Sequence, residues 1–340
     1  MKAIQIIRPG EIKLTNIPYP EMQPDGVLVK VLYAGFCGSD LNTFLGRNAL
    51  AKMPVIPGHE IGGVIEAVGE NVPAQLRIET PCTINPYTSC GSCPSCRNGR
   101  PNACRFNQTL GVQRDGAMCE YRIVPWQKII ADGNITPQDF CLVEPLSVGF
   151  HAISRGEVTG RDTVMVLGCG MIGVGAIVGA VLHGAQVIAV DINDEKLSLA
   201  HQLGAVFTIN SQTENVHERL QEITGGSGPD VVIEAVGSPE TYQRAVSEVA
   251  FTGRVVCIGY AKDPIALETK YFVQKELDIC GSRNAMPDDF RAVMEYLKRG
   301  TCPVEKLINW VYRPEQVAEA FDTWIANAAE IFRILIGFHT

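Results

Sequence analysis

Four cysteines lie within fifteen residues of the first half of the chain and restrict how that segment can fold. They are Cys90, Cys93, Cys96 and Cys104, with glycine and proline between them. The run has too few apolar residues to pack a core, so a metal ion or covalent bonds must hold it. Four thiolates at this spacing are typical of a structural zinc site. An iron–sulfur cluster or disulfides are the alternatives, but a ferredoxin run has three residues before its last cysteine, and here there are seven.

A site with four cysteine ligands has no open position, so it is expected to be structural, whereas a catalytic zinc needs three protein ligands and a vacancy. Candidates for a second site are Cys37, the pair His59 and Glu60 after a Pro-Gly turn, and Glu144 before a proline. Thiolate, imidazole and carboxylate together suit zinc. Each residue alone also has an ordinary structural explanation, as a buried cysteine, a core histidine or a surface carboxylate.

Length and charge narrow the class of protein. A chain of 340 residues is too long for one core, so we expect two domains. The formal net charge of −8 argues against nucleic acid as the main partner. The N-terminus lacks the apolar region of a signal peptide, and the apolar stretch 164–182 reads as a buried strand and helix instead of a membrane span. Twelve cysteines without a secretory signal favour a reducing compartment, and we expect a cytoplasmic protein without membrane contact.

The hydrophobic pattern changes along the chain. Residues 1 to about 145 are β-rich, with strands expected at 27–33 and 62–69. From about 160, four short apolar runs predict strands at 164–167, 187–190, 231–233 and 255–258, separated by helices that include Asp194–Leu203 and Pro239–Ala250. This alternation predicts a parallel sheet covered on both faces, and therefore an α/β fold. After about 285 we expect one helix, Asp288–Arg299, followed by proline-interrupted segments.

A glycine fingerprint follows the first of these apolar strands. Gly168, Gly170 and Gly173 would allow a tight turn, a close approach of a pyrophosphate and close helix packing, with Met171 and Ile172 opening the helix. Asp191 ends the next strand, where a carboxylate binds ribose hydroxyls and repels a 2′-phosphate. Ile192 stands where a phosphate-binding arginine would be expected. The pattern therefore favours NAD over NADP, although the glycines alone are also compatible with simple helix packing.

The order of these motifs resembles the zinc-dependent medium-chain alcohol dehydrogenase family over essentially the whole chain. The matching pieces are Cys37-Gly-Ser39-Asp40, Gly58-His59-Glu60, the four-cysteine lobe at 88–106, Glu144-Pro145-Leu146-Ser147 and the glycine fingerprint. Within this family, the chain resembles the polyol and sugar dehydrogenase branch, because it has glutamate at position 144. The resemblance implies a GroES-like catalytic domain at 1–148 and 288–340, a Rossmann NAD-binding domain at 149–287, and an active cleft where they meet.

The resemblance also implies roles for single residues. Cys37 and His59 would be zinc ligands, and the third would be Glu60 or Glu144, or these two would exchange during turnover. With the lobe, this gives two zinc ions per chain. Ser39 resembles the family's first proton-relay hydroxyl, and Asp40 resembles the carboxylate that orients the ligand histidine. Asn42 stands where many relatives carry a relay histidine, and asparagine cannot pass a proton on by titrating. Proton exit is then expected through water, the ribose or Glu144.

The run Gly281-Ser282-Arg283-Asn284 resembles the sugar-acid dehydrogenases of the same branch. Arg283 could bind a substrate carboxylate through two hydrogen bonds, or it could be a surface or subunit-interface residue. We expect an NAD- and zinc-dependent dehydrogenase of a polyol, sugar or sugar acid, acting as a homodimer or homotetramer. The alternatives are a threonine-type dehydrogenase and a non-catalytic NAD(P)-binding relative.

Overall fold

The computed structural model describes residues 1–339 and divides the chain into two compact units. The first unit contains Met1–Glu144 and the chain from Val293 onwards, and the second contains Pro145–Ala292. The C-terminal segment therefore returns to the unit in which the chain begins.

The strands, in chain order, are β1 (Lys2–Arg8), β2 (Glu11–Asn16), β3 (Gly26–Gly35), β4 (Glu60–Val68), β5 (Pro81–Ile84), β6 (Tyr121–Pro125), β7 (Ile129–Ala131), β8 (Thr163–Leu167), β9 (Gln186–Asp191), β10 (Phe207–Asn210), β11 (Val231–Glu234), β12 (Arg254–Cys257), β13 (Asp278–Gly281), β14 (Trp310–Tyr312) and β15 (Ile334–Gly337). The helices are α1 (Gly38–Phe44), α2 (Pro94–Arg97), α3 (Pro137–Phe140), α4 (Val143–Arg155), α5 (Met171–Leu182), α6 (Asp194–Gln202), α7 (Val216–Thr224), α8 (Pro239–Glu248), α9 (Lys270–Gln274), α10 (Pro287–Lys298), α11 (Val304–Leu307) and α12 (Val317–Ala326).

The first unit is built on a seven-stranded, mostly antiparallel sheet. Its path is β14-β15-β3-β4-β5-β7, and β6 pairs with β3. The long strand β3 carries the sheet, since it pairs with β4, β6 and β15. A cluster of buried apolar side chains packs against it, and Phe36 packs edge-on against Phe321 of α12 with ring centroids 4.5 Å apart. Residues far apart in the sequence thus share one core.

The second unit is a six-stranded sheet with the order β10-β9-β8-β11-β12-β13, and every adjacent pair is parallel. Numbered from β8, this is the 3-2-1-4-5-6 order of the Rossmann fold. Alternate residues of β8 enter different cores: Val164 and Val166 pack on one face, and Met165 and Leu167 on the other. Both faces are covered, which confirms the predicted α/β class.

The C-terminal segment holds more regular structure than its sequence suggested. Beyond the predicted helix, which is observed as α10, the chain forms α12 and the strand β15. Every residue of β15 is buried, and it pairs antiparallel with β3. A four-residue strand is too short to show a period in the sequence, and its pairing with β3 and β14 and its burial in the core stabilise it.

Candidate metal centres and nucleotide site

The four cysteines of the lobe converge on one point. Their sulfur atoms all lie within 4.8 Å of one another, with Cys93 Sγ 3.5 Å from Cys96 Sγ and 3.8 Å from Cys104 Sγ. A zinc tetrahedron with bonds of about 2.3 Å has sulfur–sulfur edges of about 3.8 Å. A hydrogen bond from Ser95, followed by backbone N–H groups, lowers the pKa of Cys93 to about 5. The observed spacing and the stabilised thiolate both fit a zinc ion held by Cys90, Cys93, Cys96 and Cys104.

A second group of ligand atoms forms in the same unit from Cys37, His59 and Glu60, all within 4.8 Å of one another. Cys37 is the N-cap of α1, and Glu60 is the first residue of β4. Asp40 ties the two loops together, since its carboxylate accepts hydrogen bonds from the backbone N–H of Cys37 at 2.8 Å and of Gly58 at 3.3 Å. Asp40 therefore acts on both candidate ligand loops through the main chain.

Several polar atoms of this group are buried without a hydrogen bond. Nδ1 of His59 and both carboxylate oxygens of Glu60 have no hydrogen-bond partner within the described residues, although Oε2 of Glu60 forms an ion pair with Arg333. Buried polar atoms normally have partners, so such atoms indicate a ligand site. Burial alone would raise the pKa of the Cys37 thiol, but His59 beside it lowers that pKa below its usual value. A zinc ion fits this set of thiolate, imidazole and carboxylate donors, and would give buried atoms that lack a hydrogen bond a binding partner.

A buried arginine from the C-terminal segment forms an ion pair with Glu60. Arg333 Nε lies 2.9 Å from Glu60 Oε2, as an ion pair whose N–H is poorly directed for a hydrogen bond. The same guanidinium donates to the carbonyl of Phe36 at 2.8 Å. Burial raises the pKa of Glu60 well above its usual value, and Arg333 works against that rise. No sequence signal pointed to Arg333, because it is remote in the chain from the residue it neutralises.

Glu144 lies in the first turn of α4, is 5 % exposed, and receives a hydrogen bond from the hydroxyl of Tyr87. Its charge reaches the metal-binding group, since it contributes to raising the pKa of both His59 and Glu60. Within residues 1–339 it is nevertheless not part of the three-residue group. The structure thus brings Glu60 into the candidate ligand set and places Glu144 beside it. Tyr87 was missed by the sequence reasoning.

Ser39, the expected first relay hydroxyl, and Asn42, which replaces the relay histidine of many relatives, both lie on α1. Ser39 Oγ is buried and has no hydrogen-bond partner in the described part of the chain. Asn42 follows one turn later, and its carbonyl accepts from Arg47 N at 2.7 Å. An unpartnered hydroxyl two residues after Cys37 is available to a substrate.

The glycine fingerprint has the geometry of a pyrophosphate loop. Gly168 has φ +91°, and Gly170 is the N-cap of α5, where an added Cβ would meet nothing within 4 Å. An added Cβ at Gly173 would lie 1.8 Å from the carbonyl oxygen of Gly168. Met171 and Ile172 open α5 as predicted. The three glycines therefore have different roles. Gly168 supplies a left-handed turn, Gly170 leaves open space beside the loop, and Gly173 permits close contact between α5 and the backbone of Gly168.

Asp191 ends β9 and orders the loop around it. Its carboxylate accepts from the backbone N–H of Cys169 at 2.6 Å, of Ile192 at 2.8 Å and of Asn193 at 3.0 Å. The side chain of Ile192 is 52 % exposed. Arg283 lies elsewhere in this unit, two residues after β13, and is half-buried. In the described residues, no helix is long and apolar enough to span a membrane.

Comparison with known proteins identifies relatives of the whole chain. Residues 23–133 match the family described as alcohol dehydrogenase GroES-like domain, and residues 172–299 match the zinc-binding dehydrogenase family. The starvation-sensing protein RspB of Escherichia coli is 33% identical over 99% of both chains, and the L-galactonate-5-dehydrogenase of the same species is 30% identical over 96% of this chain and 95% of its own. The crystal structure of the alcohol dehydrogenase rspB from E. coli CFT073 in complex with NADH superposes with a TM-score of 0.91 at 31% identity, covering 99% of each chain.

Proposed function

This chain belongs to the zinc-binding alcohol dehydrogenase family, and we propose that it uses NAD to oxidise a secondary alcohol of a polyol, sugar or sugar acid. The observation that carries the proposal is the group Cys37, His59 and Glu60, whose ligand atoms lie within 4.8 Å of one another and include buried polar atoms without a hydrogen bond in the described residues. Three such ligands leave one position for a substrate oxygen. The NADH-bound relative and the glycine fingerprint support the choice of coenzyme.

The protein groups have separate tasks in this reaction. When bound, zinc would make the substrate hydroxyl more acidic, and NAD would accept the hydride from the carbon that bears this hydroxyl. Ser39 Oγ, which has no hydrogen-bond partner among the described residues, would accept the hydrogen bond of that hydroxyl and, as it receives the proton, would pass its own hydroxyl proton on. Asp40 would hold the loops of Cys37 and His59 in place through its two backbone hydrogen bonds. Since Asn42 cannot titrate, the proton would leave by water, the ribose or Glu144.

Coenzyme selection would rest on Asp191. A carboxylate at the end of β9 would accept hydrogen bonds from both ribose hydroxyls and repel the 2′-phosphate of NADP. The exposed Ile192 next to it offers that phosphate no cation. NAD is therefore the proposed coenzyme, with two zinc ions per chain as the metal complement.

The substrate class would depend on an arginine of the second unit. We propose that Arg283 binds a substrate carboxylate, which would favour a sugar acid. The relative named L-galactonate-5-dehydrogenase is in keeping with this choice, and relatives named sorbitol dehydrogenase and L-threonine 3-dehydrogenase represent the polyol and amino-acid alternatives. We also expect a homodimer or homotetramer, which light scattering would test.

The first experiment is an activity panel with the zinc-loaded protein. NADH formation would be followed by its absorbance with polyols, aldonates, sugars and threonine as substrates, and metal content would be measured by mass spectrometry. We expect two zinc ions per chain and turnover of an aldonate or a polyol, with Arg283→Met losing the aldonate preferentially. One zinc per chain and a blank panel, with NAD binding intact, would instead favour a non-catalytic relative.

A further inference from the structure

Tyr87 is a buried residue in the loop before the four-cysteine lobe, and hydrogen bonds anchor the backbone around it. It is 5 % exposed, its N–H donates to Asn85 Oδ1 at 3.1 Å, and its carbonyl accepts from Lys128 Nζ at 2.6 Å. The preceding carbonyl, that of Pro86, accepts from Arg114 Nη2 at 3.3 Å. The Tyr87 backbone is therefore anchored on both sides, and the residue that carries the ring is buried.

The hydroxyl of Tyr87 contacts the carboxylate that lies outside the candidate ligand group. That hydroxyl donates a hydrogen bond to Glu144. Burial, followed by the charge of Glu144, raises the pKa of Tyr87 well above its usual value. Each glutamate near the site thus has its own partner: Arg333 for Glu60 and Tyr87 for Glu144.

We propose that Tyr87 is a positioning residue that holds Glu144 beside the catalytic zinc and out of its ligand set, so that the fourth position stays open for the substrate. The inference rests on the proposed function, because it assumes a zinc ion at Cys37, His59 and Glu60. Four protein ligands would close the site, as they do in structural zinc centres, and a closed site cannot take a substrate oxygen. A carboxylate released by its donor would be a competent fourth ligand.

The proposal predicts an effect on the metal as well as on turnover. In Tyr87→Phe, Glu144 loses a hydrogen bond to a charged group, typically about 1.5–3 kcal/mol, and can regain that free energy by binding the zinc. Release of the Cys37-dependent zinc to a chromophoric chelator should then slow by about tenfold or more, while kcat/KM falls. Tyr312→Phe is the matched control, because it removes a half-buried hydroxyl that bonds Thr323 Oγ1 at 3.0 Å in the same unit. It should leave zinc release unchanged.

Two further variants test whether the effect passes through Glu144. Glu144→Gln should release zinc at close to the wild-type rate, since Glu144 is not a ligand in the resting protein, whereas Glu60→Gln should release it faster. In the Glu144→Gln background, Tyr87→Phe should no longer slow release. These measurements need no substrate, and faster release in Glu144→Gln would overturn the inference even if the tyrosine variant does not fold.

The overturning results are equally specific. Unchanged or faster zinc release in folded Tyr87→Phe would show that the tyrosine does not keep Glu144 from the metal. Faster release in Glu144→Gln would make Glu144 a resting ligand, and persistence of the Tyr87→Phe effect in the double variant would mean that it acts elsewhere. Absence of any Cys37-dependent zinc in the wild type would overturn the proposed function itself, and this inference with it.

Discussion

Exchanging single glycines of the fingerprint for alanine should separate coenzyme binding from folding. At Gly170 the backbone has φ −69°, which alanine adopts readily, and the added Cβ would meet nothing within 4 Å. At Gly173 the same methyl group would lie 1.8 Å from Gly168 O and 2.9 Å from Gly168 C, both of them backbone atoms. One substitution fills the space proposed for the pyrophosphate, and the other pushes α5 away from the turn.

The expected magnitudes differ accordingly. Gly170→Ala loses a favourable N-cap residue but reduces the entropy of the unfolded chain, and each effect is worth about 0.5–1 kcal/mol with opposite sign. The melting temperature should therefore stay within about 3 °C. Loss of one backbone hydrogen bond to the charged pyrophosphate costs about 1.5–3 kcal/mol, which weakens NAD binding by about 10- to 100-fold. Gly173→Ala should cost about 3 kcal/mol or more, because the backbone must move.

Calorimetric titration with NAD and thermal unfolding by circular dichroism would measure both quantities on the same samples. We expect Gly170→Ala to be stable and weak in binding, and Gly173→Ala to be unstable. Wild-type NAD affinity in Gly170→Ala would refute the assignment of this loop to the pyrophosphate. A wild-type melting temperature in Gly173→Ala would refute the packing argument.

Three other substitutions test the remaining assignments. Cys37→Ser should lower turnover by at least about a thousandfold, since metal polarisation of the substrate is lost, and should leave NAD affinity unchanged; retained turnover would exclude a catalytic zinc at this group. Asp191→Ala should weaken NAD about tenfold and reduce discrimination against NADP, and an unchanged ratio of the two affinities would contradict its proposed role. Cys104→Ser should remove one zinc per chain and destabilise the lobe, because the metal supplies its folding free energy; retention of two zinc ions by mass spectrometry would argue against the four-cysteine site.

Much of the fold and part of the candidate site could be predicted because the relevant signals are local. Buried parallel strands such as β8 and β9 are continuous apolar runs, and the glycine turn follows the first of them directly. Asn193 is the N-cap of α6, and its side chain accepts from Lys196 N at 3.0 Å, only three residues away. The lobe is local as well, since its four ligands lie within fifteen residues. In each case the geometry follows from short chain spacing.

The remaining features depended on contacts between distant segments. Arg333, the residue before the last strand of the first unit, forms an ion pair with Glu60, and Tyr87 contacts Glu144 from a loop 57 residues earlier. An arginine or a tyrosine by itself carries no pattern, and its role appears only when the sheet brings the segments together. The sequence alone therefore determined the chemistry of the candidate site, through its cysteine, histidine and carboxylate types. Tertiary structure decided that Glu60 lies within the candidate ligand group and that Glu144 lies outside it, because that arrangement depends on buried partners that no local spacing encodes.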